Sequence, residues 1–258
     1  MGWSTVGDQM STERAWLSLL GGFEFGQGPE RAHLPLGSQR LLALLALKDG
    51  GAHRGAAAAQ LWPDSSATRA PANLRSALWQ GRRAGSLTVI ECGGSRLRLA
   101  PTIDVDLHTA LGRAHQITAT ARADASAIDH AQIITALSRE LLPDWSDEWL
   151  LLERERWDQL RMHTLETFAQ QLISMHTYLP ALEAAMAAVA VEPVRESAHR
   201  TVIEVYLAEG NAACALKHYE RYRGLIHREL GVTPSPKMHQ LIHPLMASEI
   251  PVWTTQRR

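Results

Sequence analysis

Along the chain, the pattern of apolar and polar positions first indicates short strands, then three helices and a hairpin, and finally helices alone. After a polar N-terminal stretch come two short runs, AWLSLLGGFEF and AHLPLG, in which apolar residues are interrupted by Gly and Pro. Runs of this kind are typical of short strands joined by turns. The sequence therefore predicts a small N-terminal β-sheet.

Three stretches with helical character follow the predicted sheet. SQRLLALLALKDGG predicts a first helix with Ser38 as its N-cap, and RGAAAAQLWPD predicts a shorter one that ends at Trp62-Pro63. The third stretch is TRAPANLRSALWQGRRAG. Because proline is tolerated in the first turn of a helix, we expect this helix to run from Ala70 to Ala84.

The third predicted helix is strongly amphipathic. Leu74, Ala77 and Leu78 share one face of a helical wheel, which indicates a narrow buried side. The opposite side is rich in hydrogen-bond donors, with two further arginines at its flanks. These polar and aromatic positions are Arg69, Asn73, Ser76, Trp79, Gln80 and Arg83, flanked by Arg75 and Arg82.

The next stretch, LTVIECGGSRLRLAP, predicts a hairpin. Two β-rich runs flank Gly93-Gly94, a pair suited to the positive φ angles of a two-residue turn. In the second run apolar residues alternate with Arg96 and Arg98, so one face packs and the other presents two guanidinium groups. Three helices followed by a basic hairpin is the element order of a winged helix-turn-helix.

Beyond APTIDVD only helices are predicted, at about 105–118, 127–141, 147–176, 179–190, 194–208, 211–229 and 236–247. The last part repeats at a spacing of 34 residues, which matches Leu172 with Tyr206, and Ala185 with Tyr219. That period and the alternation of small and large residues are typical of tetratricopeptide helix pairs, which stack and leave a groove.

The predicted fold is mainly α. We expect a flexible tail at 1–14, a winged-helix domain with a small β-sheet and wing hairpin at 15–102, an all-α tetratricopeptide-like domain at 103–247, and a second tail at 248–258. No apolar run is long enough to cross a membrane, and the N-terminus lacks the features of a signal peptide. These features predict a cytoplasmic protein, and the widely spaced Cys92 and Cys214 predict reduced thiols.

Charge is distributed unevenly along a chain whose formal net charge is −1. Residues 37–100 carry nine Lys or Arg against three Asp or Glu, a net charge of +6, whereas residues from 116 onward carry 14 against 18, a net charge of −4. The basic segment coincides with the predicted winged helix. This coincidence favours double-stranded DNA as a partner for that part of the chain.

The basic helix and hairpin supply the candidate DNA-binding residues. Because Asn and Gln can pair with adenine and Arg with guanine, Asn73, Ser76, Gln80 and Arg75 are candidates for contacts to base edges. Trp79 is expected either to pack on sugar and phosphate or to cover the surface of its own helix. Arg69 lies on the same polar face, and the candidates for contacts to the DNA backbone are Arg82, Arg83, Arg96 and Arg98.

Catalytic chemistry finds little support in the sequence. His239 and His243 have the spacing of metal ligands, but HQLIH lacks the glutamate of the HExxH motif and no third ligand is evident nearby. Nucleotide-binding loops and nucleophile elbows are also absent from the sequence. We therefore expect no enzyme activity, and we assign no catalytic, metal or cofactor-binding residues.

The segment Trp16–Leu245 resembles the Streptomyces antibiotic regulatory protein (SARP) family. In that family an OmpR-like winged helix is joined to a bacterial transcriptional activator domain of tetratricopeptide type. The resemblance implies binding to direct repeats in promoters and recruitment of RNA polymerase through its sigma and alpha subunits. Because a single winged helix offers a small interface, we also expect two protomers on the DNA. The stretches that carry the resemblance are NLRSALW with RR after it, GGSRLRLAP, IDVDLH, LLPDWSDEWLLLERERW, RESAHRTVIEVYLAEGNAACALKHYERYR and RELGVTPSP.

One residue departs from the family pattern. Gly81 stands where family members commonly carry a large apolar residue. Glycine costs about 1 kcal/mol of helix stability relative to alanine, so we expect a lost core contact and a frayed or bent helix end.

Three functions remain open on the sequence alone. The first is a DNA-binding transcriptional activator. The second is a helical-repeat adaptor whose winged helix has lost DNA readout and binds protein instead, and the third is an enzyme or small-molecule sensor that uses the groove of the repeats.

Overall fold

The computed structural model describes residues 14–48, 50–84, 87–119 and 129–247, with the side chains of 83, 84 and 247 excepted. Within this range the chain forms two compact units. The N-terminal unit contains the residues up to Leu111 together with Glu140–Glu155, and the helical unit contains Gly112–Arg139 and the residues from Arg156 onward. Apart from Arg14, the predicted tails lie outside the described residues.

The N-terminal unit begins with the predicted sheet. Strands β1 (Ala15–Ser18), β2 (Glu24–Gln27) and β3 (Glu30–Arg31) form an antiparallel meander. Strand β9 (Ile103–Val105) completes the sheet by pairing in parallel with β1, giving the order β3, β2, β1, β9. Burial alternates along β1, as expected for a strand with one face against the core.

Three helices follow β3. Helix α1 comprises Leu36–Ala46, and α2 comprises Arg54–Leu61 after the short strand β4 (Ala52–His53). Ser38 was expected to be the N-cap of α1, and this prediction is wrong because Pro35, three residues earlier, is the N-cap and the helix begins at Leu36. The hydroxyl of Ser38 instead donates a hydrogen bond to the carbonyl of Ala77.

Helix α3 comprises Arg69–Gly81 and is shorter than predicted. The expected end at Ala84 is wrong because the chain leaves the helix after Gly81. Residues Arg83–Ala84 form strand β5, which pairs with strand β6 (Leu87–Thr88). Backbone pairing across this short connection competes with continuation of the helix.

The predicted wing is present as β7 (Ile90–Gly93) and β8 (Arg96–Leu99), with β4 pairing on the far side of β8. Its turn lies one residue later than expected. Gly93 pairs with Arg96, so the two turn residues are Gly94 and Ser95. Only Gly94 of these has a positive φ, +59°, and a positive φ at the first turn position is typical of a type II′ turn.

The predicted boundary at 102/103 differs from the division into compact units. Strand β9 pairs with β1, and helix α4 (Asp106–Ala119) begins in the N-terminal unit. The Asp106 carboxylate accepts hydrogen bonds from the backbone N–H groups of Leu19 and Leu20 and from the Ser18 hydroxyl, at 2.6–3.1 Å. These long-range bonds fix the start of α4 to the end of β1.

Residues 140–155 also belong to the N-terminal unit. The backbone N–H of Gly21 donates to the carbonyl of Glu140 at 2.7 Å, and that of Leu142 donates to Leu19 at 2.9 Å. The side chain of Arg154 donates to the carbonyl oxygens of Leu141, Leu142 and Trp145. A segment predicted for the second domain is thus tied to the first by main-chain hydrogen bonds.

The predicted helices of the second half are observed. They are α5 (His130–Ser138), a 3₁₀ turn (Glu148–Leu150), α6 (Leu151–Ser174), α7 (Tyr178–Val191), α8 (Glu196–Ala208), α9 (Ala212–Leu230) and α10 (Pro236–Ala247). The 34-residue spacing is reflected in burial, since Ala185 of α7 and Tyr219 of α9 are both fully buried. Stacked helix pairs form the core of this unit.

Candidate nucleic-acid interface

Helix α3 is held in place by a narrow apolar face. Leu74, Ala77 and Leu78 are buried, together with Ala70 and Gly81. Helix α1 packs closely against this side, since the buried Ser38 lies opposite Gly81. The apolar spacing read from the sequence therefore fixes which side of α3 faces outward.

The outward side of α3 carries most of the predicted DNA-binding residues. Trp79 leaves 85% of its surface accessible, which is unusual for so large an apolar side chain. Asn73 is half-buried, and its amide donates a weak hydrogen bond to the Ser65 hydroxyl at 3.5 Å. The exposed members of the set are Arg69, Arg75, Ser76, Trp79, Gln80 and Arg82.

A cleft of about 420 Å³ separates this side of α3 from the start of α2 and the wing. Arg75 and Trp79 of α3, with Arg82 directly after the helix, line one side of the cleft, and Arg54 and Cys92 line it from the other elements. Three guanidinium groups around one cleft favour an anionic ligand such as a phosphate group. The structure thus brings Arg75, Trp79 and Arg82 together.

Arg54 was not among the predicted site residues. It is the first residue of α2, where the ring nitrogen Nδ1 of His53 accepts a hydrogen bond from the N–H of Gly55 at 3.3 Å. The net charge of residues 37–100 includes Arg54, and that charge was the one signal in the sequence that pointed to it. Only the fold places Arg54 opposite α3.

The two wing arginines occupy different surroundings from the cleft. Arg96 is exposed, and its guanidinium donates to the carbonyl oxygens of Gly50 at 3.0 Å and Gly51 at 3.4 Å. Arg98 is exposed, lies across the hairpin from Glu91 and lines a separate cavity of about 270 Å³. The wing therefore presents its positive charge apart from the arginines of α3. The side chain of Arg83 lies outside the described residues.

Gly81 has a packing role that the sequence did not reveal. A Cβ atom on this residue would lie 3.1 Å from the Cβ of Ser38, closer than ordinary packing allows. The expectation of a lost core contact is therefore wrong, because glycine is what permits α1 and α3 to approach at this point. Gly81 is also the last residue of α3, so the chain does leave the helix there.

Two absences hold for the described residues alone. No group of three or more His, Cys, Asp or Glu side chains is arranged there to hold a metal ion. Nor does any helix of the described ranges combine the length and apolar character needed to cross a bilayer.

The chain is similar to known proteins in sequence and in structure. Residues 103–246, more than half of the chain, match the family model described as "Bacterial transcriptional activator domain". The chain is 28% identical over 251 residues to the regulatory protein AfsR of Streptomyces coelicolor, covering 89% of this chain but only a quarter of that protein.

Among solved structures, the chain resembles Mycobacterium tuberculosis EmbR in complex with a low-affinity phosphopeptide. The TM-score is 0.72 at 18% sequence identity, and the match covers 93% of this chain and 66% of that one. The resemblance supports the order of a winged helix followed by a helical domain. The family match over more than half of the chain shows that the protein belongs to the bacterial transcriptional activator domain family.

Proposed function

We propose that this protein is a sequence-specific DNA-binding transcriptional activator that acts in the cytoplasm and catalyses no reaction. The observation that carries the proposal is the outward side of α3, where exposed polar side chains and an 85% exposed indole adjoin a cleft with three arginines. A major groove admits one α-helix, and its base edges offer the acceptors and donors that such side chains bind. The packing of Gly81 also removes one argument for a winged helix that has lost DNA readout.

The roles of individual side chains follow from their places in the fold. Ser76 and Gln80 lie one helical turn apart on the exposed side and reach base edges. Arg82 and Arg54 meet a phosphate group at the cleft, and Trp79 packs on the adjoining sugar. Arg96, Arg98, Arg69 and Arg83 extend the backbone contacts, with Arg96 positioned by its bonds to the loop before β4.

Two protomers are expected on each promoter. One winged helix offers a single recognition helix, an interface at the low end for specific binding, so a second protomer adds the missing specificity. Two protomers on one side of B-DNA place their helices about one turn, roughly 10–11 base pairs, apart. By resemblance to the family we propose direct repeats, with the helical unit contacting the sigma and alpha subunits of RNA polymerase.

The decisive experiment selects bound sequences from random duplex DNA with the full chain and then footprints the selected site. We expect two direct repeats about one helical turn apart and binding that weakens steeply with salt. The control is the double variant Gln80→Ala/Arg82→Ala, whose substitutions leave the buried side of α3 intact. No enrichment of any sequence, or equal enrichment by this variant, would overturn the assignment of α3. A palindromic footprint would overturn the direct-repeat arrangement alone.

A further inference from the structure

The N-terminal unit has a second groove, distinct from the cleft beside α3. An open groove of about 960 Å³ lies between the first turns of α1, the end of α2 with its following loop, and residues 146–149. We call it the acidic groove. None of the candidate DNA-binding residues lines it.

One wall of the acidic groove is fixed by contacts behind it. Leu142 is buried with a positive φ of +45°, a conformation that costs energy in a leucine and persists only where its surroundings impose it. The side chain of Arg154 donates to the carbonyl oxygens of Leu141, Leu142 and Trp145 and so contacts the backbone on both sides of this position. Phe23 stacks on Trp145, with ring centroids 5.7 Å apart. The following residues, 146–149, therefore start from an anchored segment, which lowers the entropy cost of binding.

The charges in the acidic groove are unbalanced. Asp147 is satisfied from two sides, since it pairs with Arg40 and its Oδ1 accepts a hydrogen bond from the Trp149 indole at 3.0 Å. Asp64 and Glu148 are exposed, and within the described residues neither has an ion-pair partner. With three carboxylates and one guanidinium, the lining carries a net charge of −2.

Apolar surface lies among these carboxylates. The indoles of Trp62 and Trp149 are half-buried, and Pro63 adjoins Trp62. Leu36, the first residue of α1, leaves 62% of its surface accessible. Indole faces attract cations as well as apolar groups, so these residues favour a ligand that combines both.

The charge of the acidic groove excludes DNA as its occupant, because its carboxylates repel phosphate groups. The volume is at the upper end for small-molecule sites, and the groove is open rather than enclosed, which suits a segment of polypeptide. We propose that the acidic groove binds a basic peptide segment of a partner protein, with one apolar side chain against Trp62 and Leu36 and with Lys or Arg beside Asp64 and Glu148. This binding goes beyond the proposed recognition of DNA and does not depend on it.

The test uses pools of fluorescein-labelled nine-residue peptides and the full chain, with binding followed by fluorescence anisotropy. The basic pool has Leu or Trp at its centre and Lys, Arg, Gly or Ser elsewhere. One matched pool replaces Lys and Arg by Asp and Glu, and another replaces the central residue by Ser. We expect the basic pool to bind at least about tenfold more tightly than either matched pool, and more weakly as salt increases.

Variants locate the binding. The double variant D64N/E148Q is expected to bind the basic pool about three- to tenfold more weakly, as for the loss of two exposed charge pairs. Leu36→Ser should also weaken binding, whereas Glu30→Gln, an exposed carboxylate on β3, should leave it unchanged. The D64N/E148Q variant should keep wild-type affinity for the selected DNA, which separates this proposal from the proposed function.

Three results would each overturn the proposal. The first is no binding of the basic pool to the wild-type chain, and the second is equal binding by D64N/E148Q. The third is binding of spermidine as tight as that of the peptides with no gain from the central apolar residue, since the groove would then be a site for small cations.

Discussion

Gly81 of α3 packs directly against Ser38 of α1, so that a Cβ atom at position 81 would require Ser38 to shift by a few tenths of an ångström. An ideal Cβ on Gly81 would lie 3.1 Å from the Cβ of Ser38 and 3.4 Å from its hydroxyl oxygen. Ser38 cannot easily give way, because it is fully buried and its hydroxyl is bonded to the carbonyl of Ala77 at 3.0 Å. The packing of α3 against α1 therefore depends on this pair.

Gly81→Ala is expected to destabilise the protein even though alanine favours helix formation by about 1 kcal/mol. Overpacking typically costs about 1–3 kcal/mol, and we expect a cost within this range because Ser38 is buried and its hydroxyl is hydrogen-bonded. Urea unfolding measures the change. In a Ser38→Gly background the cost of Gly81→Ala should largely disappear, and an equal cost in both backgrounds would show that the contact is not its cause.

Arg82→Ala should weaken binding to all duplex sequences by a similar factor. A lost phosphate contact carries no sequence information and reduces the slope of log K against log salt by about one unit. Fluorescence anisotropy with specific and random duplexes over a range of salt concentrations measures both effects. Arg228→Ala, an exposed arginine of α9, serves as the matched control and should change neither.

Gln80→Ala should act differently and relax the preference at one base position. The loss of a bidentate contact to a base edge costs about 1–3 kcal/mol in discrimination while leaving binding to random duplexes nearly unchanged. Competition between the selected site and its single-base variants measures the preference at each base position. A uniform loss across all duplexes would instead assign Gln80 to the DNA backbone.

The helical unit contains a histidine pair that predicts a pH dependence of stability. His199 donates from Nε2 to the carbonyl of Pro193 at 2.8 Å, so its Nδ1 accepts from Nε2 of His218 at 3.0 Å. Burial lowers the pKa of His199. Burial, together with the neighbouring His199 and Arg221, lowers the pKa of His218 to about 4.

Both histidines bind protons more readily in the unfolded chain than in the folded one. Between the ordinary pKa of 6.5 and about 4, the unfolded state therefore holds more protons, and stability falls as the pH is lowered through this window. Above pH 6.5 their contribution to stability is complete. Urea unfolding from pH 7 to 4 should show this slope, and His218→Gln should reduce it. An unchanged slope in the variant would assign the pH dependence to other groups.

Arg154→Ala should destabilise the N-terminal unit, because it removes the donor to three carbonyl oxygens around Leu142. Hydrogen bonds from a charged group contribute about 1.5–3 kcal/mol, and we expect a loss of roughly that size in the free energy of unfolding. Arg154→Lys should recover only part of it, since an ammonium group lacks the forked geometry. Retention of full stability by the alanine variant would mean that the segment is held by its main-chain bonds alone.

Local sequence patterns predicted many of the secondary-structure elements. The apolar spacing of Leu74, Ala77 and Leu78 determined which side of α3 is buried, and the 34-residue repeat determined the helix pairs of the second half. These predictions succeeded because burial on one side of a helix leaves its trace within a few turns of sequence. The charge excess of residues 37–100 likewise marked the basic surface before any geometry was known.

Tertiary structure alone decided which distant positions meet. It placed Arg54 across a cleft from Arg82, set Gly81 against Ser38, and tied residues 140–155 to the end of β1 to form a wall of the acidic groove. In none of these pairs are the two residues or segments linked by a sequence repeat or by a common motif. Periodicity records whether a residue is buried, whereas the identity of its neighbour depends on how whole elements pack, and that information is spread over the entire chain.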